Sequence, residues 1–173
     1  MKRRFTTALA VALSLIAGSA VAETPVEVSL FPPLHIAGPG ASVKGLRLVL
    51  IYGENANVSG LDLGLVSKTT GDQVGLQWGL VHLNDGNFKG WQEGVYNRVS
   101  GDFTGWQSGV VNITEGRFGG LQSGWYNCAG DFHGLQLGLW NTVQDLDGLQ
   151  IGIINLIRSG KPRGFLPLVN WNF

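Results

Sequence analysis

The sequence predicts an all-β protein, a parallel β-solenoid of about eight coils of fourteen to fifteen residues closed by capping strands. Three observations carry this. A Gly-hydrophobic start recurs at Gly45, Gly60, Gly75, Gly90, Gly105, Gly120, Gly134 and Gly148, at spacings of fifteen residues and then, for the last two, fourteen. Two glycines fall within the first five residues of most copies, as in Gly105-Trp106-Gln107-Ser108-Gly109, and each would cost a helix about 0.8–1 kcal/mol against alanine. The apolar positions alternate instead of recurring at three and four.

The chain opens Met1-Lys2-Arg3-Arg4, continues with an apolar run from Ala8 to Ala17 and reaches small residues at Ala20-Val21-Ala22. That order reads as a cleavable secretory leader over 1–22, too short to span a bilayer of about 30 Å. Fold reasoning therefore starts at Glu23. Residues 23–44 contain a strand-like stretch from Val26 to Leu30 and then Pro32-Pro33 and Gly38-Pro39-Gly40, an expected N-terminal cap. The repeat array occupies 45–157. The segment 158–173 begins polar and turn-rich and ends in Phe165 to Phe173, an expected C-terminal capping strand.

Within a copy, alternation places the second, fourth and sixth residues on one face and the leading Gly, the Gln, the second Gly and a bulky seventh residue on the other. If each copy is one coil, like residues lie above one another at about 4.8 Å. Gln77, Gln92, Gln107, Gln122, Gln136 and Gln150 then form an amide ladder, and Asn97, Asn112, Asn127, Asn141 and Asn155 a second one. Phe88, Phe103, Phe118 and Phe132 form an aromatic column. Arg47 and Asp62 stand where Gln is expected, so the ladder is not predicted before Gln77. The glycines admit two causes, a positive φ at a corner or a close backbone approach across a thin core. Six tryptophans, Trp78, Trp91, Trp106, Trp125, Trp140 and Trp171, occupy several different repeat positions, and filling the core is their expected role.

The competing architecture is a small antiparallel outer-membrane β-barrel or meander. Eleven-residue strands such as Asp102 to Asn112 suit it, and Phe165, Val169, Trp171 and Phe173 alternate in a way that resembles the last strand of such a barrel. Against it, the strands lack a continuous apolar band, with Thr104, Ser108 and Asn112 on one face and Gln107 on the other. Antiparallel neighbours also give no reason for like residues at one fixed period.

Composition narrows function by exclusion. Removing the leader takes three of twelve basic residues and none of the twelve acidic ones, leaving a formal charge of −3 and no basic footprint for nucleic acid. His35, His82 and His133 lack partners at metal-ligand spacing. Asp85, Asp102, Asp131, Asp145 and Asp147 recur in turns, but not in the nonapeptide of calcium β-rolls, and local turn hydrogen bonding is the expected reason for them. Cys128 is alone and is expected as a small buried residue of the array. No nucleophile context or carboxylate pair marks an enzyme, and no cofactor is implied.

The Gly-Leu-Gln-x-Gly-x-x-Asn repeats, preceded by Leu30-Phe31-Pro32-Pro33-Leu34 and closed by Pro167-Leu168-Val169-Asn170-Trp171-Asn172-Phe173, resemble the leptospiral-type surface-repeat family of Gram-negative bacteria. The resemblance covers nearly all of the chain after the leader and implies export and an envelope or surface location, with no catalytic residues to carry over. The expectation is a non-enzymatic repeat protein in the periplasm, outer membrane or cell surface, with a structural or interaction role toward an envelope macromolecule and an outer-membrane association. A small integral outer-membrane barrel and a secreted carbohydrate-binding module are the alternatives. Partner identity and oligomeric state are not written in the residues.

Overall fold

The computed structural model describes residues 23–161 and 163–173; the stretch read as a leader lies outside them. Nine strands form one sheet: β1 (Glu23–Phe31), β2 (Leu34–His35), β3 (Ser42–Asn55), β4 (Val58–Thr69), β5 (Gln73–Asn84), β6 (Phe88–Val99), β7 (Phe103–Thr114), β8 (Phe118–Ile157) and β9 (Phe165–Asn172). From β3 to β8 every neighbouring pair is parallel and in repeat register: Gly90 opposes Gly105, Gln92 opposes Gln107, and Asn97 opposes Asn112. This is a β-solenoid. Eight glycine starts bound seven full turns, and β8 passes through the last three copies. The antiparallel barrel or meander is ruled out as the architecture of the repeats, because successive copies run in the same direction.

Each coil bends twice. The first glycine of every copy has φ between +124° and +148°, and at Gly105 an added Cβ would overlap the carbonyl oxygen of Gly90 in the coil below. Both causes anticipated for the glycines therefore act together there. The second glycine has ordinary backbone angles but faces the opposite wall: a Cβ at Gly109 would collide with the carbonyl oxygen of Gly94 and with the Asn97 amide. The coil is pinched at that end and wider at the other, where the Phe column packs against Val99, Ala129 and Val143. Phe88, Phe103, Phe118 and Phe132 stack at centroid spacings of 4.8–5.0 Å and are 2% exposed or less.

The ends are built differently from the middle. β1 is an additional partial coil, paired parallel with β3, and β2 folds back antiparallel upon it. At the other end β9 turns antiparallel against the last copy, opposing Asn170 to Gln150. The reversal shields part of an edge that would otherwise template further strands. In the two fourteen-residue copies the turn is shortened at Gly130-Asp131 and Gln144-Asp145, and strand pairing continues through both.

Candidate interaction surface

Beside the Phe column the inside of the rod is polar, and this decides where the other apolar residues go. Gln77 through Gln150 and Asn97 through Asn155 are buried to within 1% exposure. In the Gln column each Nε2 donates to the Oε1 one coil nearer the N-terminus, at 2.6–2.8 Å from Gln92 to Gln150. In the Asn column the direction is opposite: Asn97 Nδ2 donates to Asn112 Oδ1, Asn112 to Asn127, Asn127 to Asn141 and Asn141 to Asn155, at 2.8–2.9 Å. Two aligned rows of amide dipoles thus run antiparallel within one core, and their fields oppose.

Both directions have identifiable causes. Asn97 Nδ2 also donates to the carbonyl of Ser108 at 2.7 Å, and the later asparagines repeat that contact, so the NH₂ end must face the next coil. The Gln row is set by its first neighbour. Gln77 Nε2 donates to Asp62 Oδ2 at 2.8 Å, and an ionised carboxylate only accepts, so every following Gln must point the same way. The far ends are correspondingly short of partners: Gln150 Oε1 and Asn97 Oδ1 are buried without one.

Before Gln77 the same column is charged. Glu27, Arg47 and Asp62 are all fully buried. Arg47 grips Asp62 through Nε and Nη2 at 2.8 and 2.5 Å and also donates to Asn55 Oδ1, the Lys68 carbonyl and Thr69 Oγ1. Glu27 instead accepts from Ser29 Oγ and the Ala37 backbone N–H. Burial by itself would raise the Asp62 carboxyl, but the Arg47 charge and the hydrogen bonds from Arg47, Gln73 and Gln77 hold it below the usual carboxylate range.

His82 occupies the Asn column one coil before Asn97 and is fully buried. Its Nε2 donates to the Glu93 carbonyl at 3.0 Å, as the asparagines donate to theirs, while Nδ1 has no partner. Burial pushes its pKa down, against a smaller upward pull from Asp62. His133 lies outside and pairs with Asp147 at 2.9 Å. His35 is in β2, in the N-terminal hairpin. Among the described residues no three His, Cys, Asp or Glu side chains gather as a metal site.

The turn residues answer to the neighbouring coil more than to their own turn. Asn57, Asp72, Asn87 and Asp102 form an exposed row in which each side-chain oxygen accepts the backbone N–H of the equivalent residue one coil on, at 2.8–2.9 Å. Inter-coil ion pairs line the same edge: Lys68 with Asp85, Arg98 with Glu115 and Arg117 with Asp102.

The tryptophans correct the sequence reading. All six lie at the surface, from 40% exposed at Trp91 to 67% at Trp125, rather than filling the core. The second, fourth and sixth residues of each copy point outward because the Gln and the second Gly between them point in. Trp91 stacks on Trp106 at 5.1 Å, and Trp106 Nε1 donates to Ser123 Oγ at 3.3 Å, which places the second and fourth positions on one outer face. Leu65, Leu80, Val95, Val110, Trp125, Leu139 and Ile153, at the sixth position, are exposed as well and follow the bend at the second glycine, where the pairing between coils is interrupted from β4 to β8. Near its N-terminal end, Leu61, Leu63, Leu76, Trp78, Trp91 and Glu93 line an apolar groove of about 280 Å³. Cys128 is half-buried rather than buried, with Arg158 Nη2 3.5 Å from its sulfur.

The rod thus carries apolar ridges on its outside and charged turns along an edge. The outward tryptophans at the second, fourth and sixth positions were legible in principle, since the alternation that buries Gln must expose its neighbours, and choosing the core by hydrophobicity concealed this; Trp140, a seventh residue that simple alternation puts on the Gln face, is 46% exposed instead. Comparison of the chain with protein-family models, with curated proteins and with solved structures returned no match.

Proposed function

We propose that the chain is a non-enzymatic, exported envelope or surface repeat protein whose rod serves a structural or interaction role, presenting one long apolar flank to another macromolecule. The single observation that carries this reading is that flank. Monomers seldom expose an apolar patch above about 300–600 Å², and here exposed Leu, Val and Trp side chains recur coil after coil along the outside of the rod from Leu61 to Ile153. The likeness of the repeats to the leptospiral-type surface-repeat family and the leader-like opening over 1–22 support an envelope location, in the periplasm, the outer membrane or at the cell surface of a Gram-negative cell.

Cell fractionation followed by salt and detergent extraction tests it. The expected result is a chain shortened by about two kilodaltons, as loss of a leader of this length requires, recovered with the envelope. Full-length chain recovered wholly in the cytosol would overturn it. A second reading, a carbohydrate-binding module, draws on the stacked outer rings of Trp91 and Trp106. It predicts quenching of tryptophan fluorescence by a soluble glycan, and a flat response across a broad panel removes it.

A further inference from the structure

We infer that the outer face of the rod holds a binding site for a small quaternary ammonium ion with an apolar body, seated in the groove between Trp78, Trp91 and Glu93. This adds a small-molecule site to the interaction role proposed above and does not depend on where the chain is located.

The site begins with one departure in an otherwise uncharged surface. In the outward second position the column runs from Val26 through Leu46, Leu61 and Leu76 to Leu149, and in the fourth from Val28 through Leu48, Leu63 and Trp78 to Ile151. Glu93 is the one ionisable side chain in either column. It is half-buried and in register with Trp78 one coil earlier, and among the described residues no cation pairs with it. The groove itself comes from two steps in side-chain size. Trp91 follows Leu76 in the second column, and Trp106 in the next coil covers one face of its ring at 5.1 Å. The other face turns back toward the coil of Leu76, whose side chain is shorter than an indole. In the fourth column Trp78 follows Leu63 and is followed by Glu93. Leu61, Leu63, Leu76, Trp78, Trp91 and Glu93 thereby line a space of about 280 Å³, just under the ~300–1,000 Å³ of small-molecule pockets.

The lining selects the ligand. A carboxylate beside two indoles attracts a cation, both by its charge and through the negative faces of the rings. The chain shows the same preference at its C-terminal end, where the Arg163 guanidinium lies 4.7 Å over Trp171, on the outer face opposite Leu149. Among the described residues no cation covers Trp78 or Trp91 in this way. Hydrogen bonding then favours a quaternary over a primary ammonium. The backbone beneath the groove is paired coil to coil from Leu61 to Glu93. The Gln77 amide is turned inward, donating to Asp62 and Gln73 and accepting from Asn84 and Gln92. Glu93 is left as the one acceptor among the lining side chains, so a primary ammonium would lose partners that its three N–H groups had in water. A quaternary ion has none to lose, and Leu61, Leu63 and Leu76 receive its apolar body. A phosphocholine headgroup fits less well, because its phosphate would approach the same carboxylate.

The test is a titration of the purified chain with benzyltrimethylammonium, followed through the indole N–H resonances. Those of Trp78 and Trp91 are expected to shift with a dissociation constant on the order of 0.1–1 mM, and that of Trp125 to stay in place. Glu93→Gln, with its fold verified by circular dichroism, is expected to weaken binding about threefold to tenfold, and Trp78→Leu by a similar factor. Benzyl alcohol, which keeps the ring and lacks the charge, is expected to bind at least about fivefold more weakly and to be indifferent to Glu93→Gln. Indole resonances that do not move up to about 10 mM cation, equal affinities for the cation and benzyl alcohol, or a Glu93→Gln variant that binds the cation as the wild type does would each overturn the inference. Phosphocholine binding as tightly as benzyltrimethylammonium would also overturn it, assigning the groove to a lipid headgroup instead.

Discussion

One buried column contains two kinds of chemistry. From Gln77 to Gln150 it is a run of neutral amides, each satisfied by its neighbour; from Glu27 to Asp62 the same positions, in the same parallel register, carry charge. The amide run is self-similar and has no intrinsic place to stop, whereas the charged stub makes one. Asp62 accepts from Gln73 and Gln77 on one side and from Arg47 on the other, so it both ends the row and fixes its polarity. A buried ion pair is weak evidence for stability in general, because the cost of desolvation offsets much of the attraction. Here its role is registry, giving one coil a partner that no other coil can replace.

The largest expected effect is common to both regions and marks what they share. Gly105→Ala in the amide region and Gly60→Ala in the stub each force a side chain onto a carbonyl oxygen at a positive φ. Each is expected to cost more than about 4 kcal/mol and to abolish folding, read as loss of the parallel-sheet circular dichroism signal.

Next, Arg47→Met leaves Asp62 buried without its counter-charge and is expected to cost about 3–5 kcal/mol in chemical denaturation. Adding Asp62→Gln should recover most of that loss by extending the amide row. The wild-type chain also carries a pH signature at this point. The Asp62 carboxyl has a lower pKa folded than its ordinary 3.8, so its contribution is complete above that value and is lost as pH falls below it toward the folded pKa. Asp62→Gln is expected to remove that part of the acid sensitivity.

Within the amide region, Gln107→Ala orphans the Gln122 amide N–H and the Gln92 oxygen and removes the acceptor of Thr114, at an expected cost of about 2–4 kcal/mol. Gln150→Ala should cost less, since Gln150 gives the ladder a single bond and its own oxygen is already unpartnered. Equal costs at the two sites would mean that the ladder bonds do not set the cost.

The smallest effect is a gain. His82→Asn places an amide one coil before Asn97, where Nδ2 meets the unpartnered Asn97 Oδ1, and should stabilise the chain by about 1 kcal/mol. The pKa of His82 is depressed in the folded state, so its neutral form contributes above the ordinary value of 6.5 and that contribution is lost as pH falls below it. The variant should flatten the stability profile in that range.

Much of this was written in the spacing. A fifteen-residue period with Gln, Asn and Phe at fixed offsets specifies parallel coils, because only in-register stacking gives identical polar side chains identical partners. The interruption at Arg47 and Asp62 was visible as a departure; its meaning was not, since a carboxylate that terminates an amide row is recognised only when the row's direction is known. The outward tryptophans were misplaced for a related reason. Hydrophobicity alone assigns Trp78 and Trp125 to the core, but the narrow core is already filled by the two amide columns and the Phe column. Asp102 reads as a local turn former, yet the Arg117 backbone N–H that it accepts lies fifteen residues away in sequence.

Distances between spin labels along one outer row test the stacking most directly. With Cys128 replaced by Ser, a label at Lys44 is paired in turn with labels at Lys89, Thr104, Gly119 and His133, in samples diluted with unlabelled chain. Coils stacked in parallel predict separations that lengthen steadily by about 4.8 Å per coil. Separations that alternate between long and short, as strands running in opposite directions would give, would contradict the account.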